Sequence, residues 1–375
     1  MPISLREIKD LKNKHVILRL DLNMPLENGN VINDFRLRKS LMTLKYLIEK
    51  GAKIVIVSHI GRENTDSLKP ISRYLQNTIP HTFIENIYSQ KLLEKYEEMK
   101  SGDVLLFENL RKYDGEKEND AEFTEYLSKF GEIFINDAFS VSHREHASIV
   151  GLPAMMSSCM GFQFEKEIQE LSKAFEPEHP FVLIIGGAKF NTKIPLVQKF
   201  IKKADALFVA GALSNDIYQY KGYETGTSLV SGLDHSILEP LMKSGKIIVP
   251  SDVLILGDRR EEIKDPSKLH KNDRIVDAGD KTVKDIEKII KDAKLIIWNG
   301  PFGLYEKGFD KVTIKVAKLI SKSNAATIVG GGDTVAVVES QKLIEKYTFV
   351  STAGGAMLDF LEKGTIVGIE AMDSK

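Results

Sequence analysis

The sequence predicts an α/β protein made of two domains, each with a doubly wound parallel sheet. Its 375 residues exceed the usual size of one domain, since most domains have about 100 to 150 residues. Short apolar segments alternate along the chain with amphipathic segments, which is the order of a parallel sheet covered by helices on both faces. The polar segment EPEHP at 176–180 then marks a place where the first domain can end.

The predicted strands are short, continuous and rich in β-branched or aromatic residues, as in strands that are buried on both faces. They cover residues 15–22, 52–59, 103–109, 132–137, 180–187, 205–211, 295–300, 326–332 and 348–352. Amphipathic helices with apolar side chains at i, i+3 and i+4 are predicted at 36–51, 121–131, 194–204 and 310–323. This βαβα order predicts Rossmann-like domains.

The junction between the two domains is predicted near the middle of the chain. A helix at 164–176 runs into the segment EPEHP, and we interpret it as a hinge helix. The first domain is expected to span residues 1–163 and the second residues 177–361. The alternative, an ordinary surface helix in one large sheet, stays open at this point.

The composition excludes several classes of protein. Lys and Arg number 52 against 53 Asp and Glu, and the resulting net charge of −1 argues against a protein that binds nucleic acid over a broad basic surface. The one cysteine, Cys159, cannot form a disulfide within the chain or a zinc cluster, which fits a reducing cytoplasm. The first residues are charged and no apolar run approaches 18 residues, so neither a signal peptide nor a membrane span is expected.

Polar and basic side chains follow the predicted strands of the first half, at the edge where an open α/β sheet binds its ligand. They are Asp21, Asn23, Ser58, His59, Arg62, Asn109, Arg111, Asn136, Asp137, His143 and Arg144, with Arg36 at the start of the first long helix. Because a cluster of like charge opposes folding, it predicts a site for a small anion with several charges. Separate surface arginines paired with acidic side chains are the alternative.

Glycine takes the place of these side chains at the strand ends of the second half. The turns contain Gly186, Gly187, Gly211, Gly300, Gly330, Gly331, Gly332, Gly354 and Gly355. A glycine turn before a helix lets a phosphate group approach backbone N–H groups, and the nearby Lys189, Lys193 and Asp333 fit a nucleotide phosphate chain with Mg²⁺. The spacing matches neither a P-loop nor a dinucleotide fingerprint, and glycine turns without a ligand are the alternative.

An anion site in one domain and a nucleotide phosphate site in the other together predict phosphoryl transfer with domain closure. Other features are interpreted as structural. Cys159 and Trp298 are expected to be packed side chains, and residues 116–122 a solvated start of a helix. His143 and His146 are spaced i and i+3, but no third ligand is expected to cluster with them, so a metal site is not expected there.

Eight motifs occur in order along the chain: RLDLNMP (19–25), SHIGR (58–62), ENLR (108–111), NDAFSVSHREHAS (136–148), GGAKFNTK (186–193), WNGPFG (298–303), VGGGDT (329–334) and STAGGA (351–356). With these motifs the chain resembles the phosphoglycerate kinase family over nearly its whole length. The resemblance implies reversible phosphoryl transfer between 1,3-bisphosphoglycerate and ADP, which gives 3-phosphoglycerate and ATP in glycolysis and gluconeogenesis. It also implies a monomer whose C-terminal tail, residues 362–375, returns to the first domain.

The resemblance implies that the first domain binds 3-phosphoglycerate or its acyl phosphate. Asp21 and Asn23 would hold the glycerate end of the substrate, and Arg36 would reach the transferring phosphoryl group. The 3-phosphate would be held by His59, Arg62, Arg111 and Arg144, with His143 in the same substrate site.

The resemblance implies that the second domain binds MgADP or MgATP, with ATP/ADP as co-substrate. Lys189 and Lys193 would contact phosphates, Asp333 would ligate Mg²⁺, and Glu306 would take the ribose. The same site would include Gly187, Gly211, Asn299, Gly330 and Thr334. The implied catalytic set consists of Arg36, Lys193 and the backbone N–H groups near Gly331 and Gly332.

The chain departs from the family pattern at a few positions. Ala210 and Ala212 flank Gly211 where a glycine triplet is usual, and Ala353 replaces the first glycine of another triplet. Ser140-Val141-Ser142 stands where Gly-Thr-Ala is commoner. No departure removes a charged side chain that the implied transfer needs.

Three other functions were weighed against this one. A catalytically weak paralogue that binds phosphometabolites or nucleotide is disfavoured because Arg36, Lys193 and Asp333 are all present. A nucleic-acid binder is disfavoured by the net charge and by the lack of aromatic residues among the basic ones. A dinucleotide-dependent dehydrogenase is disfavoured by the missing fingerprint.

Overall fold

Two units make up the chain, and a computed structural model describes them over residues 1–62, 64–188, 193–257 and 261–373. Unit 1 contains Met1–Gln169 together with the residues from Lys363 onward, and unit 2 contains Glu170–Glu362. Each unit has a parallel sheet of six strands with helices in the connections. The predicted α/β class with two Rossmann-like domains is confirmed.

Unit 1 is built around a sheet with the strand order β5-β6-β4-β1-β7-β8, while β2 and β3 form a separate antiparallel pair. The strands are β1 (His15–Leu20), β2 (Leu26–Glu27), β3 (Asn30–Val31), β4 (Lys53–Val57), β5 (Thr82–Ile84), β6 (Val104–Phe107), β7 (Ile133–Asp137) and β8 (Ser157–Met160). The helices are α1 (Phe35–Glu49), α2 (Lys69–Leu75), α3 (Gln90–Glu97), α4 (Asp114–Glu118), α5 (Ala121–Ser128), α6 (Leu152–Met155) and α7 (Phe162–Leu171).

The continuous apolar strands of unit 1 are explained by burial on both faces of the sheet. Successive side chains of a strand point to opposite faces. Leu18 of β1 lies in one apolar cluster and Ile17 in another, and Ile54 and Val55 of β4 divide between the same two clusters. Arg19 interrupts the apolar run of β1 one residue before the strand ends, yet it is fully buried.

Unit 2 has a parallel sheet with the strand order β11-β10-β9-β15-β16-β17. The strands of the unit are β9 (Phe181–Ile185), β10 (Ala206–Val209), β11 (Ile247–Ile248), β12 (Val253–Leu256), β13 (Glu261–Lys264), β14 (Arg274–Ala278), β15 (Leu295–Asn299), β16 (Ala326–Gly330) and β17 (Phe349–Val350). The helices are α8 (Ile194–Phe200), α9 (Leu213–Tyr220), α10 (His235–Lys243), α11 (Asp280–Ile290), α12 (Lys311–Ile320), α13 (Gly332–Ser340) and α14 (Gly355–Lys363).

A small antiparallel sheet in unit 2 was not expected from the sequence. Strand β12 pairs with β13 and with β14, in the order β13-β12-β14. The sequence also does not predict the edge strands β5, β8 and β11, because each has only two to four residues, too few for a recognisable pattern. The helix ends also differ: the predicted helix at 194–204 ends at Phe200.

Two segments connect the units along the chain. Helix α7 runs from unit 1 into unit 2 and continues as a 3₁₀ turn over Ser172–Ala174, so the helix predicted at 164–176 begins earlier and ends earlier. After α14 the chain returns to unit 1 as helix α15 (Val367–Asp373), which packs on α6 and on the turn Ala147–Gly151. Among the described residues, no helix has both the length and the apolar character needed to cross a membrane.

Candidate active site

Four neighbouring strands of unit 1 end at the same edge of the sheet and lead to the predicted anion-binding residues. Strands β6, β4, β1 and β7 are adjacent in this order and parallel, so the loops that follow them meet at the carboxyl edge. These loops supply Asp21 and Asn23 after β1, His59 and Arg62 after β4, Arg111 after β6, and His143 and Arg144 after β7.

Arg36 is held by the loop that follows β1. Its Nη1 atom donates a hydrogen bond to the Asn23 carbonyl oxygen at 2.8 Å and lies 3.3 Å from the Asp21 Oδ2 atom. Asp21 is buried, and its Oδ1 atom accepts the Asn23 backbone N–H at 3.0 Å. The Asn23 Oδ1 atom accepts the Gly61 N–H at 3.0 Å and so joins the loops after β1 and β4. Asp21, Asn23 and Arg36 therefore lie together, as the site prediction requires.

His59 is surrounded by the positive charges of the site. The side chain is buried, and its Nδ1 atom lies 3.0 Å from the Nη2 atom of Arg19. Burial, followed by the charges of four arginines, holds the pKa of His59 well below its ordinary value; the four are Arg19, Arg111, Arg36 and Arg144. The imidazole is therefore neutral at neutral pH, and the four guanidinium groups are near enough to act on it.

Arg111 and Arg144 complete this positive group. Arg111 is buried and donates a hydrogen bond to the Gly61 carbonyl oxygen, while Arg144 is exposed. Burial, and then the charges of Arg144 and Arg19, lower the pKa of Arg111 to about 10, so its guanidinium group stays charged at neutral pH. Like charges held this close oppose folding and favour a bound anion.

His143 and Arg62 are less closely tied to the group. His143 is half-buried. Burial, nearby arginines and His143 together lower the pKa of the neighbouring residue His146 to about 4. Arg62 is exposed in the loop after β4. Its charge is not among those that lower the pKa of His59.

Sequence reasoning misses three residues of this site. Arg19 is buried beneath it, and its only sequence signal is a charge inside an apolar strand. Glu116 is also fully buried, so the prediction of a solvated helix start at 116–122 is wrong at this residue. Ser140 donates a hydrogen bond to Asp21 from the turn after β7, at one of the positions where the chain departs from the family pattern.

The glycine turns of unit 2 pack directly against one another. Strands β10, β9, β15 and β16 are adjacent and parallel, so their turns meet at one edge of the sheet. A Cβ atom on Gly300 would lie 2.2 Å from the Gly186 carbonyl oxygen, and one on Gly211 would lie 2.8 Å from the Gly187 nitrogen. Packing between turns therefore requires glycine at Gly186, Gly211 and Gly300 whether or not a ligand binds.

The turn before α13 differs because it leads into a helix whose first N–H groups, from Gly332 onward, can meet a ligand, while the Gly331 N–H donates to the Ala353 carbonyl oxygen at 3.1 Å. Gly331 has a φ of +95° and caps the helix, which begins at Gly332. A Cβ atom on Gly332 would meet no heavy atom within 4 Å. The first N–H groups of a helix have no partner within the helix, and they attract anions. The segment at Gly331 and Gly332 therefore has the form of a phosphate site.

Asn299, Gly330 and Thr334 hold the turns beneath this segment. The Thr334 Oγ1 atom accepts the Gly300 N–H at 2.9 Å, and Thr334 is fully buried. The Asn299 Nδ2 atom donates to the Met357 sulfur at 3.7 Å. A Cβ atom on Gly330 would lie 2.3 Å from the same sulfur and 2.9 Å from the Ala353 carbonyl oxygen, and this backbone contact makes packing require glycine there.

Lys193 and Asp333 bring opposite charges to this edge of unit 2. Lys193 is 8% exposed, and its Nζ atom donates to the Gly186 carbonyl oxygen. Burial lowers the pKa of Lys193 to about 8, against the opposing effect of Asp333. Partial burial, and then the charge of Glu306, raises the pKa of Asp333. Lys189, also predicted for the phosphate site, lies outside the described residues.

A cleft of about 210 Å³ lies beside these turns in unit 2. Its walls are mainly apolar and include Leu229, Val276, Phe302 and Leu304. Four predicted nucleotide-site residues are part of its lining: Gly187, Gly211, Glu306 and Asp333. An apolar cleft with a few polar groups at one end is the usual form of a cofactor or nucleotide site.

Two side chains interpreted as structural are confirmed in that role. Trp298 is fully buried, and its Nε1 atom donates to the Gly300 carbonyl oxygen at 2.9 Å. Cys159 is fully buried, and burial raises the pKa of its thiol to about 12, so it is not a reactive thiolate at neutral pH.

The fold and its two strand-end sites define a two-domain α/β protein. The strand-end site of unit 1 has a form suited to a small anion, and that of unit 2 has a form suited to phosphate groups. The family model for phosphoglycerate kinase matches residues 5–364. The chain therefore belongs to the phosphoglycerate kinase family, as the motifs predict. This membership also confirms the predicted enzyme class, a phosphotransferase.

Known proteins of this family match over their full length. A phosphoglycerate kinase of Borrelia garinii is 38% identical, with 99% of this chain and 100% of the relative covered. One of Dictyoglomus turgidum is 36% identical, with 100% and 98% covered. The solved structure of phosphoglycerate kinase from Coxiella burnetii has a TM-score of 0.84 at 33% identity, covering 100% of this chain and 99% of its own. That from Pyrococcus horikoshii has a TM-score of 0.86 at 29% identity, covering 99% and 98%.

Proposed function

We propose that the chain catalyses reversible phosphoryl transfer between 1,3-bisphosphoglycerate and ADP, which gives 3-phosphoglycerate and ATP in glycolysis and gluconeogenesis. The observation that carries this proposal is the group of arginines around a buried, neutral His59. Such a group favours a small ligand with several negative charges. 3-Phosphoglycerate, with a phosphate at one end and a carboxylate at the other, is a ligand of this kind.

We assign the acceptor substrate to the carboxyl edge of the unit 1 sheet. Guanidinium groups bind phosphate with two parallel hydrogen bonds, so the arginines suit the 3-phosphate. Its proposed partners are His59, Arg62, Arg111, His143 and Arg144. Asp21 and Asn23, which lie beside Arg36, are assigned to the glycerate end.

We assign the nucleotide to the cleft of unit 2. The apolar walls suit an adenine base, and the carboxylate of Glu306 can accept hydrogen bonds from ribose hydroxyls. The phosphates are assigned to the open N-terminus of α13 and to Lys193, with Lys189 added on its motif alone. The turns that carry Gly187, Gly211, Asn299, Gly330 and Thr334 are proposed to shape the floor of this site.

Mg²⁺ fits the donor set around Asp333. Mg²⁺ in nucleotide sites is held by one or two carboxylates together with phosphate oxygens and water. Burial, and then the negative charge of Glu306, raises the pKa of Asp333, while Lys193 opposes the rise. A cation bound at Asp333 would offset the repulsion between the two carboxylates. We propose that Asp333 ligates the ion, which when bound would neutralise charge on the nucleotide phosphates.

The transfer itself needs positive charge rather than a base. The acceptor carboxylate is already ionised at neutral pH, so no side chain has to remove a proton from it. Charge on the moving phosphoryl group has to be stabilised while the two oxygens are held in line. Arg36 of unit 1, Lys193 of unit 2 and the N–H groups near Gly331 and Gly332 are the groups we assign to this task.

Because these groups belong to different units, we propose that transfer follows a hinge movement that closes the units on the substrates. Helix α7, which runs from one unit to the other along the chain, is the proposed hinge. The domain bounds 1–163 with 362–375, 164–176 and 177–361 are proposed as the functional division. We further propose that the enzyme acts as a cytoplasmic monomer without a nucleic-acid or membrane partner.

The test is ADP formation by the purified chain with MgATP and 3-phosphoglycerate, with the acyl phosphate removed by a coupled reductase. We expect turnover that depends on both substrates and on Mg²⁺. Binding of both ligands without turnover would overturn the proposal in favour of a paralogue that only binds. ADP release that does not need 3-phosphoglycerate would overturn the acceptor assignment.

A further inference from the structure

A buried chain of hydrogen bonds lies beneath the anion site of unit 1. Arg19, Ser148 and Glu116 are each fully buried. The Arg19 Nε atom donates to the Ser148 Oγ atom at 2.9 Å, and Ser148 Oγ donates to Glu116 Oε1 at 2.6 Å. The Ser148 backbone N–H donates to Glu116 Oε2 at 3.0 Å. Since a hydroxyl has one proton, Ser148 can only accept from Arg19 and donate to Glu116, which fixes the direction of the chain.

The other end of the Arg19 guanidinium group reaches His59. Its Nη2 atom lies 3.0 Å from His59 Nδ1. A guanidinium group only donates hydrogen bonds, so Nδ1 must present its lone pair. A neutral imidazole has one N–H, which is then on Nε2. This hydrogen-bond pattern makes the second ring nitrogen a donor, as an anion site requires.

We propose that Glu116 and Ser148 are positioning residues that act through Arg19 to hold His59 as a neutral Nε2–H donor for the anionic acceptor substrate. The identity of that anion as 3-phosphoglycerate rests on the proposed function. Glu116 provides the counter-charge that a buried guanidinium group needs, because an unpaired buried charge is strongly destabilising. None of these three residues has to touch the substrate to act in this way.

The charges that act on His59 agree with this assignment. Arg19, Arg36, Arg111 and Arg144 all oppose a positive imidazole. Burial raises the pKa of Glu116, and the nearby Arg19 opposes that rise. The positive groups around His59 therefore disfavour its protonated form over the neutral pH range, and the tautomer is set by Arg19.

His81 of the same unit provides an internal contrast. Its Nδ1 atom lies 2.8 Å from the Ile79 carbonyl oxygen, which can only accept, so the proton is on Nδ1. Its Nε2 atom lies 2.8 Å from the Ser72 Oγ atom, which donates to it. Burial lowers the pKa of His81 as well. His59 and His81 are thus two neutral histidines whose protons are on opposite ring nitrogens.

The first experiment records long-range ¹H–¹⁵N correlations of the full chain labelled with ¹⁵N-histidine between pH 5.5 and 8. His59→Gln and His81→Gln variants assign the two signals. We expect the Nε2–H pattern for His59 throughout this range and the Nδ1–H pattern for His81 at its upper end. A protonated or Nδ1–H His59 in the wild-type chain would overturn the proposal without any reference to substrate.

The second experiment breaks the chain with Ser148→Ala and, separately, with Glu116→Gln. Ser72→Ala is the matched control, because it removes a hydroxyl that contacts a different histidine of unit 1. We expect both site variants to lose the fixed tautomer of His59 and to raise KM for 3-phosphoglycerate about tenfold, the effect of one weakened charge-assisted hydrogen bond. KM for MgATP should stay within twofold, and Ser72→Ala should change neither quantity.

The two experiments separate the possible failures. The positioning role of Glu116 and Ser148 would be overturned if both variants kept a fixed His59 tautomer and an unchanged KM for 3-phosphoglycerate. An Nε2–H His59 in a wild-type chain that does not bind 3-phosphoglycerate would instead overturn the proposed function. If neither variant folds, the wild-type spectrum still decides the tautomer, and Ser148→Thr, which keeps the hydroxyl, should retain it.

Discussion

At the scale of single residues, the proposed transfer depends most on Arg36. Its guanidinium group is held beside Asp21 and Asn23 and is partly open to solvent. Replacing Arg36 by Ala should lower kcat by about 10³- to 10⁵-fold, as for arginine groups that stabilise a moving phosphoryl group. The coupled ADP assay measures kcat, and calorimetry should show that MgADP binding to the variant is unchanged.

Arg38, two residues further along α1, is the matched control. It is exposed and forms an ion pair with Asp34 at 2.8 Å. Arg38→Ala should change kcat by less than about twofold and the free energy of unfolding by at most about 0.5 kcal/mol. Equal losses in the two variants would contradict the special role given to Arg36.

Lys193 predicts a pH dependence of nucleotide use. Its pKa is lowered to about 8, mainly by burial, so its positive charge is lost as pH rises through about 8. Because kcat/KM reports ionisations of the free enzyme, kcat/KM for MgATP should fall above pH 8. ADP measured directly by chromatography avoids the pH limits of a coupling enzyme. In Lys193→Arg, whose charge persists, this fall should be absent. A fall of kcat/KM that remained in the variant would contradict the assignment.

The same group has an effect on stability of the opposite sign. In the unfolded chain the lysine pKa is near the ordinary value of 10.5, so the unfolded state binds more protons than the folded state between pH 8 and 10.5. The contribution of Lys193 to the free energy of unfolding should therefore rise with pH over this window. Activity and this part of stability change in opposite directions, which distinguishes loss of charge from unfolding.

The sequence points to the candidate-site residues that follow strands, and it does not point to those defined by long-range pairing. His59, Arg111 and Arg144 could be found because parallel strands bring their carboxyl ends to one edge. Arg19 shares that edge, but its role depends on Ser148 and Glu116, which reach it only in the folded chain. A charge run such as the one around Glu116 is usually solvated, and nothing local distinguishes the buried member.

At the scale of elements, the contact between glycine turns in unit 2 predicts a large effect of one methyl group. A Cβ atom at Gly300 would lie 2.2 Å from the Gly186 carbonyl oxygen, and the residue has a φ of +100°. Gly300→Ala should lower the free energy of unfolding of unit 2 by roughly 3 to 5 kcal/mol, since two backbone segments must separate. The single tryptophan of the chain, Trp298, lies in β15 and reports unfolding of this unit by its fluorescence.

Gly308 is the control for backbone conformation alone. Its φ of +80° is also left-handed, but a Cβ atom there would meet no heavy atom within 4 Å. Gly308→Ala should cost only about 1 kcal/mol, the usual penalty of that conformation. Similar urea midpoints for the two variants would show that the close contact between turns does not matter.

Elements were predicted well where the pattern was long and poorly where it was short. The continuous apolar sequence of β1 indicates burial on both faces, and its side chains do divide between two apolar clusters. The two-residue strand Ile247–Ile248 gives no such pattern, and pairing with β10 alone makes it a strand. The antiparallel strands β12 to β14 are likewise defined by pairing with one another rather than by any local pattern.

At the scale of the whole molecule, the return of the chain to unit 1 predicts that its last helix supports that unit alone. Ile366, Ile369 and Met372 are buried, and the Gly368 N–H donates to the Ser142 carbonyl oxygen at 2.9 Å. A chain that stops after residue 363 should lose roughly 5 kcal/mol from the stability of unit 1. Circular dichroism should show the first unfolding transition at a lower urea concentration than in the full chain. The unfolding of unit 2, followed by Trp298 fluorescence, should keep its midpoint.

Asp373→Asn is the control for this truncation. It removes only the exposed ion pair between Asp373 and the N-terminal amine, whose atoms are 2.9 Å apart. The change should be at most about 0.5 kcal/mol. A truncated chain with the same first transition as this control would contradict the supporting role of α15.

The discontinuity of unit 1 also has a consequence for biosynthesis. A ribosome must add about 190 residues, Glu170–Glu362, before it makes the segment that packs beside Ser142. At the usual speed of translation this takes roughly 10 to 40 s, during which the rest of unit 1 has no last helix to pack against. A nascent chain should therefore hold the first 169 residues of unit 1 without their last helix until its synthesis is nearly complete.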